Sequence, residues 1–202
     1  SKIYNDAQSY SAFHDMVGSF DGGVIVCGNG QYNSSLIKVD SNGVVIWAKQ
    51  FGREYGSLSS IIQTSDSNFV AIGSINYSQA SSNDLWLIKI DRNGNLITSK
   101  RFEKSESQGG VSIVQTMDGG FILVGSEFLY TSTTLSVIIV KVDSLFNTEW
   151  SKMMTGSTFI TSPAIVKQLP DSTFLLGGYI ENSQPNSIFA MMSNIDQSGN
   201  II

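Results

Sequence analysis

The sequence predicts an all-β fold. Three observations carry that prediction: a pair of strand-like motifs that recurs four times, turn-forming dipeptides between short apolar runs, and the lack of sustained helical periodicity. In 202 residues there are 19 Gly and only 3 Pro, and 41% of the chain is apolar. That mixture suits many short strands joined by tight polar turns around a real core.

The first motif reads DGGVIVCG at Asp21–Gly28, DSNFVAIG at Asp66–Gly73, DGGFILVG at Asp118–Gly125 and DSTFLLGG at Asp171–Gly178. In each copy an Asp opens a turn and a Gly follows at a fixed distance. The second motif reads LIKVDSNGVVIWAK at Leu36–Lys49, LIKIDRNGNLITSK at Leu87–Lys100, IVKVDSLFNTEWSK at Ile139–Lys152 and MSNIDQSGNII from Met192 to Ile202. Both landmarks share a period of about fifty residues.

Each period holds four strand candidates. The first precedes the motif, as at Ser60–Thr64 and Ser112–Thr116. The second is the short apolar run, as at Phe69–Ile72. The third is Leu85–Ile90 and its equivalents, where Ile88, Lys89 and Ile90 alternate with the two-residue period of a strand. The fourth is Leu96–Arg101 and its equivalents. Asp-Gly-Gly at 21–23 and 118–120 and Asn-Gly at 42–43 and 93–94 mark hairpins, because Gly and Asn tolerate positive φ. Four-stranded sheets at this period predict a β-propeller of four four-stranded blades. It forms a single domain over 1–202, with repeats at 6–51, 52–102, 103–154 and 155–202 plus 1–5.

The last copy stops before its fourth strand. Ser1, Lys2, Ile3 and Tyr4, placed after Ile202, align with Ala48–Phe51 and Ser151–Met154. The N-terminal strand is therefore expected to complete the last blade. The same strand, docked on a neighbouring chain, would give self-association. The start at Ser1 is read as that of a mature product or a piece of a larger protein.

The pattern DGGfilvG followed by lIKvDsnGnviWsk resembles the tandem β-propeller repeats of secreted and surface proteins, loosely related to quinoprotein-like propellers. The resemblance covers essentially the whole chain. It implies the fold, and it implies an extracellular or cell-surface setting. Leu145-Phe146 in place of Asn-Gly, and Asp171-Ser172-Thr173 in place of Asp-Gly-Gly, depart from the pattern, and a changed turn geometry is expected at both.

Composition excludes several functions. The net charge is −5 with 14% charged residues. Lys and Arg form no cluster, so no nucleic-acid partner is expected. No apolar run approaches the ~20 residues of a membrane-spanning helix, so no membrane insertion is expected. Cys27 stands alone in an apolar run, as a buried structural thiol does. His14 is the sole histidine, and its equivalents are Ser59, Val111 and Ala164. Without an orienting partner it is a poor catalytic candidate. Asp40, Asp91, Asp143 and Asp196 suit turns better than calcium, which needs six to eight oxygens. Lys38, Lys89 and Lys141 recur in the third strand, with Ser193 at the corresponding place, and are expected on the solvent face. Trp47 and Trp150 recur at one place in the repeat, where packing between adjacent blades is expected.

Asn33 and Asn76 head N-glycosylation sequons, and Thr131, Ser132, Thr133 and Thr134 could carry O-glycans. No catalytic constellation, metal site or cofactor is expected. The function read from these features is non-enzymatic: a structural or assembly subunit, possible in a filament or coat. A carbohydrate- or protein-binding propeller is the alternative, and a fragment of a quinone-dependent oxidoreductase-like enzyme a lesser one.

Overall fold

The computed structural model describes residues 12–30, 33–52, 55–76, 82–129, 134–154, 159–183 and 186–202. The described residues are all-β. Four antiparallel sheets of three or four strands follow one another along the chain, one per repeat, in a propeller-like series. The first holds β1 (Ala12–Gly18), β2 (Val24–Asn29), β3 (Ser34–Val39) and β4 (Val45–Phe51). The second holds β5 (Gly56–Gln63), β6 (Phe69–Ile75), β7 (Asp84–Ile90) and β8 (Leu96–Phe102). The third holds β9 (Ser107–Gln115), β10 (Phe121–Leu129), β11 (Thr134–Val142) and β12 (Thr148–Met154). The fourth holds β13 (Phe159–Gln168), β14 (Phe174–Ser183) and β15 (Asn186–Ile195). The chain divides into two compact units, Ser1–Glu103 and Lys104–Ile202, each with two sheets.

Among the described residues the fourth sheet has three strands; four were expected. Past β15 the described residues add one antiparallel bridge, Ile195 to Ile201, and the Ile202 N–H donates to the Asn194 carbonyl at 3.0 Å. The expected completing strand, Ser1-Lys2-Ile3-Tyr4, lies outside the described residues.

The motif turns are three-residue loops. In the first, Ser19 N–H donates to Gly23 O and Gly22 N–H to Ser19 O, both at 2.8 Å, and Gly22 takes φ +83°. The deviant copies keep this geometry. Ser67 and Ser172 stand at φ +64° and +67°, and Phe146 at +69°, with the same pair of backbone hydrogen bonds. The changed geometry expected at 145–146 and 171–173 is therefore not found. Closing the loop in register outweighs the strain of one left-handed residue, which costs about 1–2 kcal/mol.

A bulge interrupts the first strand of every sheet. The register slips between Phe13 and Asp15, Leu58 and Ser60, Gly110 and Ser112, and Pro163 and Ile165. The extra residues are His14, Ser59, Val111 and Ala164. The motif's terminal Gly faces this bulge. A Cβ on Gly73 would lie 1.8 Å from the Ser57 carbonyl oxygen, and one on Gly28 would lie 1.9 Å from that of Ala12. Glycine stands there because backbone approaches backbone.

The two units join their sheets in the same way. In the first unit Ile25, Cys27 and Leu36 pack on Leu58, Ile61, Phe69, Ala71 and Ile88 of the second sheet. In the second unit Ile122, Val124, Val137 and Ile139 pack on Val166, Phe174, Leu176 and Met191. Each fully buried Leu, Ile, Val or Phe among them stabilises by about 1.5–3 kcal/mol. Three polar links repeat as well. The residue after the bulge reaches the next sheet's backbone: Asp15 accepts from Ile61 N–H at 3.0 Å, and the Ser112 hydroxyl from Val166 N–H at 3.2 Å. Gln63 accepts from Phe20 N–H, and Gln168 from Met117 N–H, both at 2.9 Å. The indole N–H of Trp47 donates to Arg92 O at 3.3 Å, and that of Trp150 to Gln197 O at 3.0 Å. In each unit one tryptophan thus ties the first sheet to a turn of the second.

Candidate functional site

Two of the three recurring lysines are buried and the third, Lys89, is half-buried, which corrects the expected solvent face. Lys38 and Lys141 are each 4% exposed. In β3 the alternation is real, but Lys38 shares the covered face with Leu36. Each lysine meets the Asp that opens its own sheet's first motif turn. Lys38 pairs with Asp21, Lys89 with Asp66 at 2.8 Å and Lys141 with Asp118 at 2.9 Å. A buried cation with a carboxylate partner avoids the large penalty of an unpaired charge. In the fourth sheet the register places Asn194, not Ser193, at the lysine position: Asn194 lies opposite Leu175 as Lys141 lies opposite Ile122.

The third copy adds a second carboxylate. Glu149 Oε2 lies 3.2 Å from Lys141 Nζ. Its position comes from a bulge in β12, where Trp150 lies opposite Lys141 and Thr148 opposite Val142, leaving Glu149 as the extra residue. Ile46 and Ile97 are the extra residues of the equivalent bulges in β4 and β8. A bulge re-aims one side chain, and here it turns an acid toward the buried lysine.

These groups line an open cleft of about 410 Å³ within the second unit. Asp118, Lys141, Glu149 and Gln168 supply its polar wall, and Phe174 and Met117 its apolar part. Asp118 is 60% exposed and Glu149 46%, so both remain open to a ligand while their shared cation is covered. Partial burial alone would raise the Asp118 carboxyl. Hydrogen bonds from Thr116, Lys141 and the Gly120 N–H outweigh it and hold the group at about 2. Asp118 is thus an anion throughout the neutral range. Carboxylates accept from hydroxyls, and an amide both accepts and donates. Such a wall matches the edge of a polyhydroxylated molecule.

The remaining candidates fall elsewhere. His14 Nδ1 lies 3.0 Å from Leu58 O and 3.3 Å from the Ser57 hydroxyl, so the ring is tied to the neighbouring strand. The turn aspartates use their oxygens locally: Asp91 accepts from the N–H groups of Asn93 and Asn95, each at 2.8 Å, and from the Asn95 side chain at 3.0 Å. No group of three or more His, Cys, Asp or Glu among the described residues is placed to hold a metal. Asn33 lies on a bend and its side chain reaches Gln50 Oε1 at 3.4 Å. Asn76 N–H donates to Tyr55 O at 3.1 Å. Thr131, Ser132 and Thr133 lie outside the described residues, and Thr134 begins β11 opposite Leu129. Sequence reasoning overlooked Glu149 and Gln168. Glu149 had a signal: it is the one acid in a series that reads Ile, Ile, Glu.

Neither a protein-family model nor a curated sequence matches the chain. Among solved structures it is similar to an endo-arabinase from Bacteroides thetaiotaomicron VPI-5482, with a TM-score of 0.64 and 8% identity. The match covers 97% of this chain and 80% of that one. At that identity the likeness is one of fold. It nevertheless overturns the expectation of a non-enzyme that was drawn from the repeat, because the similar structure is that of an enzyme.

Proposed function

We propose that this chain acts on carbohydrate and takes a saccharide into the cleft around Asp118, Lys141 and Glu149. One observation carries the reading: two accessible carboxylates converge on one buried lysine, and Glu149 is the residue by which this cleft departs from the repeat. Departure from an otherwise consistent pattern is where function displaces folding economy. The cleft has the size of a small-ligand site and few, convergent polar groups. The likeness to an endo-arabinase supports the same ligand class. An extracellular or cell-surface setting belongs to the same proposal.

Hydrolysis of a glycosidic bond is the second reading, favoured by the pair of carboxylates. Such hydrolysis uses one ionised carboxylate and one that delivers a proton. Asp118, held at about 2, takes the ionised role, and Glu149 is the second carboxylate of the cleft.

Calorimetric titration with a panel of neutral oligosaccharides, arabinose-containing ones included, tests binding. Release of reducing ends tests cleavage. Wild type is expected to bind, and Glu149→Gln to weaken binding at least about tenfold, the loss of one charge-assisted hydrogen bond. Glu149→Gln should abolish any cleavage. Absence of binding across the panel, or a Glu149→Gln variant equal to wild type, would sink the proposal.

A further inference from the structure

Each unit builds the same joint, and the two joints differ in charge. Asp21 and Lys38 in the first unit correspond to Asp118 and Lys141 in the second, and Gln63 corresponds to Gln168. Two positions around the cleft break the likeness. The bulge residue of the outer strand is Ile46 in the first unit and Glu149 in the second. The turn residue whose carbonyl accepts from the tryptophan indole is Arg92 in the first and Gln197 in the second. Gln197 lines the cleft. Lys38 and Arg92 set against Asp21 leave a formal charge of +1 in the first unit. Lys141 set against Asp118 and Glu149 leaves −1 in the second.

A third difference runs the same way. Asp66 in the second sheet pairs with Lys89 at 2.8 Å. Its counterpart in the fourth sheet is Asp171, and there Asn194 takes the lysine's place: it lies opposite Leu175 as Lys89 lies opposite Val70. The Asp171 carboxylate accepts from the Thr173 N–H and hydroxyl, which leave its charge in place. The next residue, Ser172, lines the cleft. Lys49 and Lys152 stand at one position of the outer strands and are common to both units, so they do not alter the contrast.

A ligand in the cleft meets carboxylate oxygen. Lys141 is 4% exposed, whereas the side chains of Asp118 and Glu149 are 60% and 46% exposed. The lysine holds Glu149 through Oε2 alone. Sugar hydroxyls donate to such oxygens, and an ammonium donates to them and also offsets the surplus negative charge. We infer, on the reading of this cleft as a saccharide site, that its saccharide carries a protonated amine seated against Asp118 and Glu149. The half-open setting lies between an exposed ion pair, which is worth little, and a covered one. Replacing a sugar hydroxyl by an ammonium is therefore expected to tighten binding about tenfold.

The test is calorimetric titration in mildly acidic buffer, where sugar amines carry their protons. Glucosamine and galactosamine oligosaccharides are each compared with the neutral parent of the same linkage and length, which has a hydroxyl in place of every amine. Oligosaccharides of uronic acids and the polyamine spermidine complete the set. Wild type is expected to bind the amino sugars about tenfold more tightly than their parents, to bind uronic acids least, and to lose the preference in high salt. Glu149→Gln removes one carboxylate, and Gln197→Arg installs the first unit's cation in a turn that already accommodates Arg92. Both variants are expected to abolish the preference for amine over hydroxyl. Equal binding of amino sugars and parents overturns this inference and leaves the saccharide reading standing. Absence of binding by every oligosaccharide overturns both. Spermidine bound as tightly as the amino sugars overturns the assignment to a sugar amine, and a preference that survives in both variants places the amine away from this cleft.

Discussion

Phe146 stands edge-on to Phe121, with ring centroids 5.7 Å apart and planes at 73°, while its backbone holds φ +69°. Gly43, Gly94 and Gly199 hold that conformation in the other copies of the turn. Phe146 is 2% exposed, so its ring anchors a backbone that its Cβ disfavours. Removing the ring should cost about 3–5 kcal/mol. Freeing the backbone should return about 1–2. Phe146→Ala is therefore expected to be the more destabilised variant and Phe146→Gly the less, by about 1 kcal/mol, in urea unfolding. Equal stability of the two would mean the turn carries no strain.

The motif glycines divide into two kinds. Gly22 has open space around its missing Cβ and φ +83°, so Gly22→Ala meets strain alone, about 1–2 kcal/mol. Gly73 has no positive φ, but its Cβ would fall 1.8 Å from a backbone oxygen in the bulge of β5. A backbone atom cannot swing aside as a side chain can. Gly73→Ala is expected to cost about 3 kcal/mol or more, beyond the usual penalty of overpacking. If it proves as mild as Gly22→Ala, the bulge does not need that close approach.

The period, the strands and the hairpins were legible because backbone chemistry is local. An Asp-Gly-Gly between apolar runs specifies its own turn. The burial of Lys38 and Lys141 was not legible. Alternation tells that Lys38 and Leu36 share a face but not which face is covered, and a lysine was assigned to water by default. Its partner Asp21 is distant in sequence and was explained as a turn former, which it also is: it accepts from Gly23 N–H at 3.2 Å. The candidate cleft was hidden for a related reason. Glu149 joins Lys141 only because β12 bulges, and a strand as exposed as β12 has no apolar alternation in which the shift of phase would show. The mismatch with Ile46 and Ile97 was visible, but only an alignment of the copies at that one position would have shown it.

Acid should destabilise the fold through its Asp–Lys pairs. Asp21, hydrogen-bonded by Lys38, is held at about 2, and so is Asp118. Both lie below the ordinary aspartate value of about 3.9 expected in the unfolded chain. A depressed carboxyl adds stability that is fully present above about pH 4 and is lost as pH falls toward 2. The urea midpoint is expected to drop across that window. Asp21→Asn with Asp118→Asn should be less stable at neutral pH and show a shallower acid decline. A double variant with an unchanged decline would remove these two groups as its cause.

Cys27 should report opening of the joint between the first and second sheets. It is 0% exposed, and burial, with the Asp15 charge adding, pushes its thiol up to about 12. Only the thiolate attacks an alkylating reagent, and at pH 8 roughly one molecule in ten thousand of the closed form carries it. Native protein is expected to resist a maleimide for hours and to label at once in urea. Leu58 packs in the same cluster as Cys27. Leu58→Ala would leave a cavity there, destabilise by about 2–5 kcal/mol and raise the population of locally open states. Labelling of that variant should therefore be faster than wild type under native conditions by a factor of ten or more. Rapid labelling of the wild type would show that the joint opens without unfolding. An unchanged rate in Leu58→Ala would show that reagent reaches the thiol by some path other than this joint.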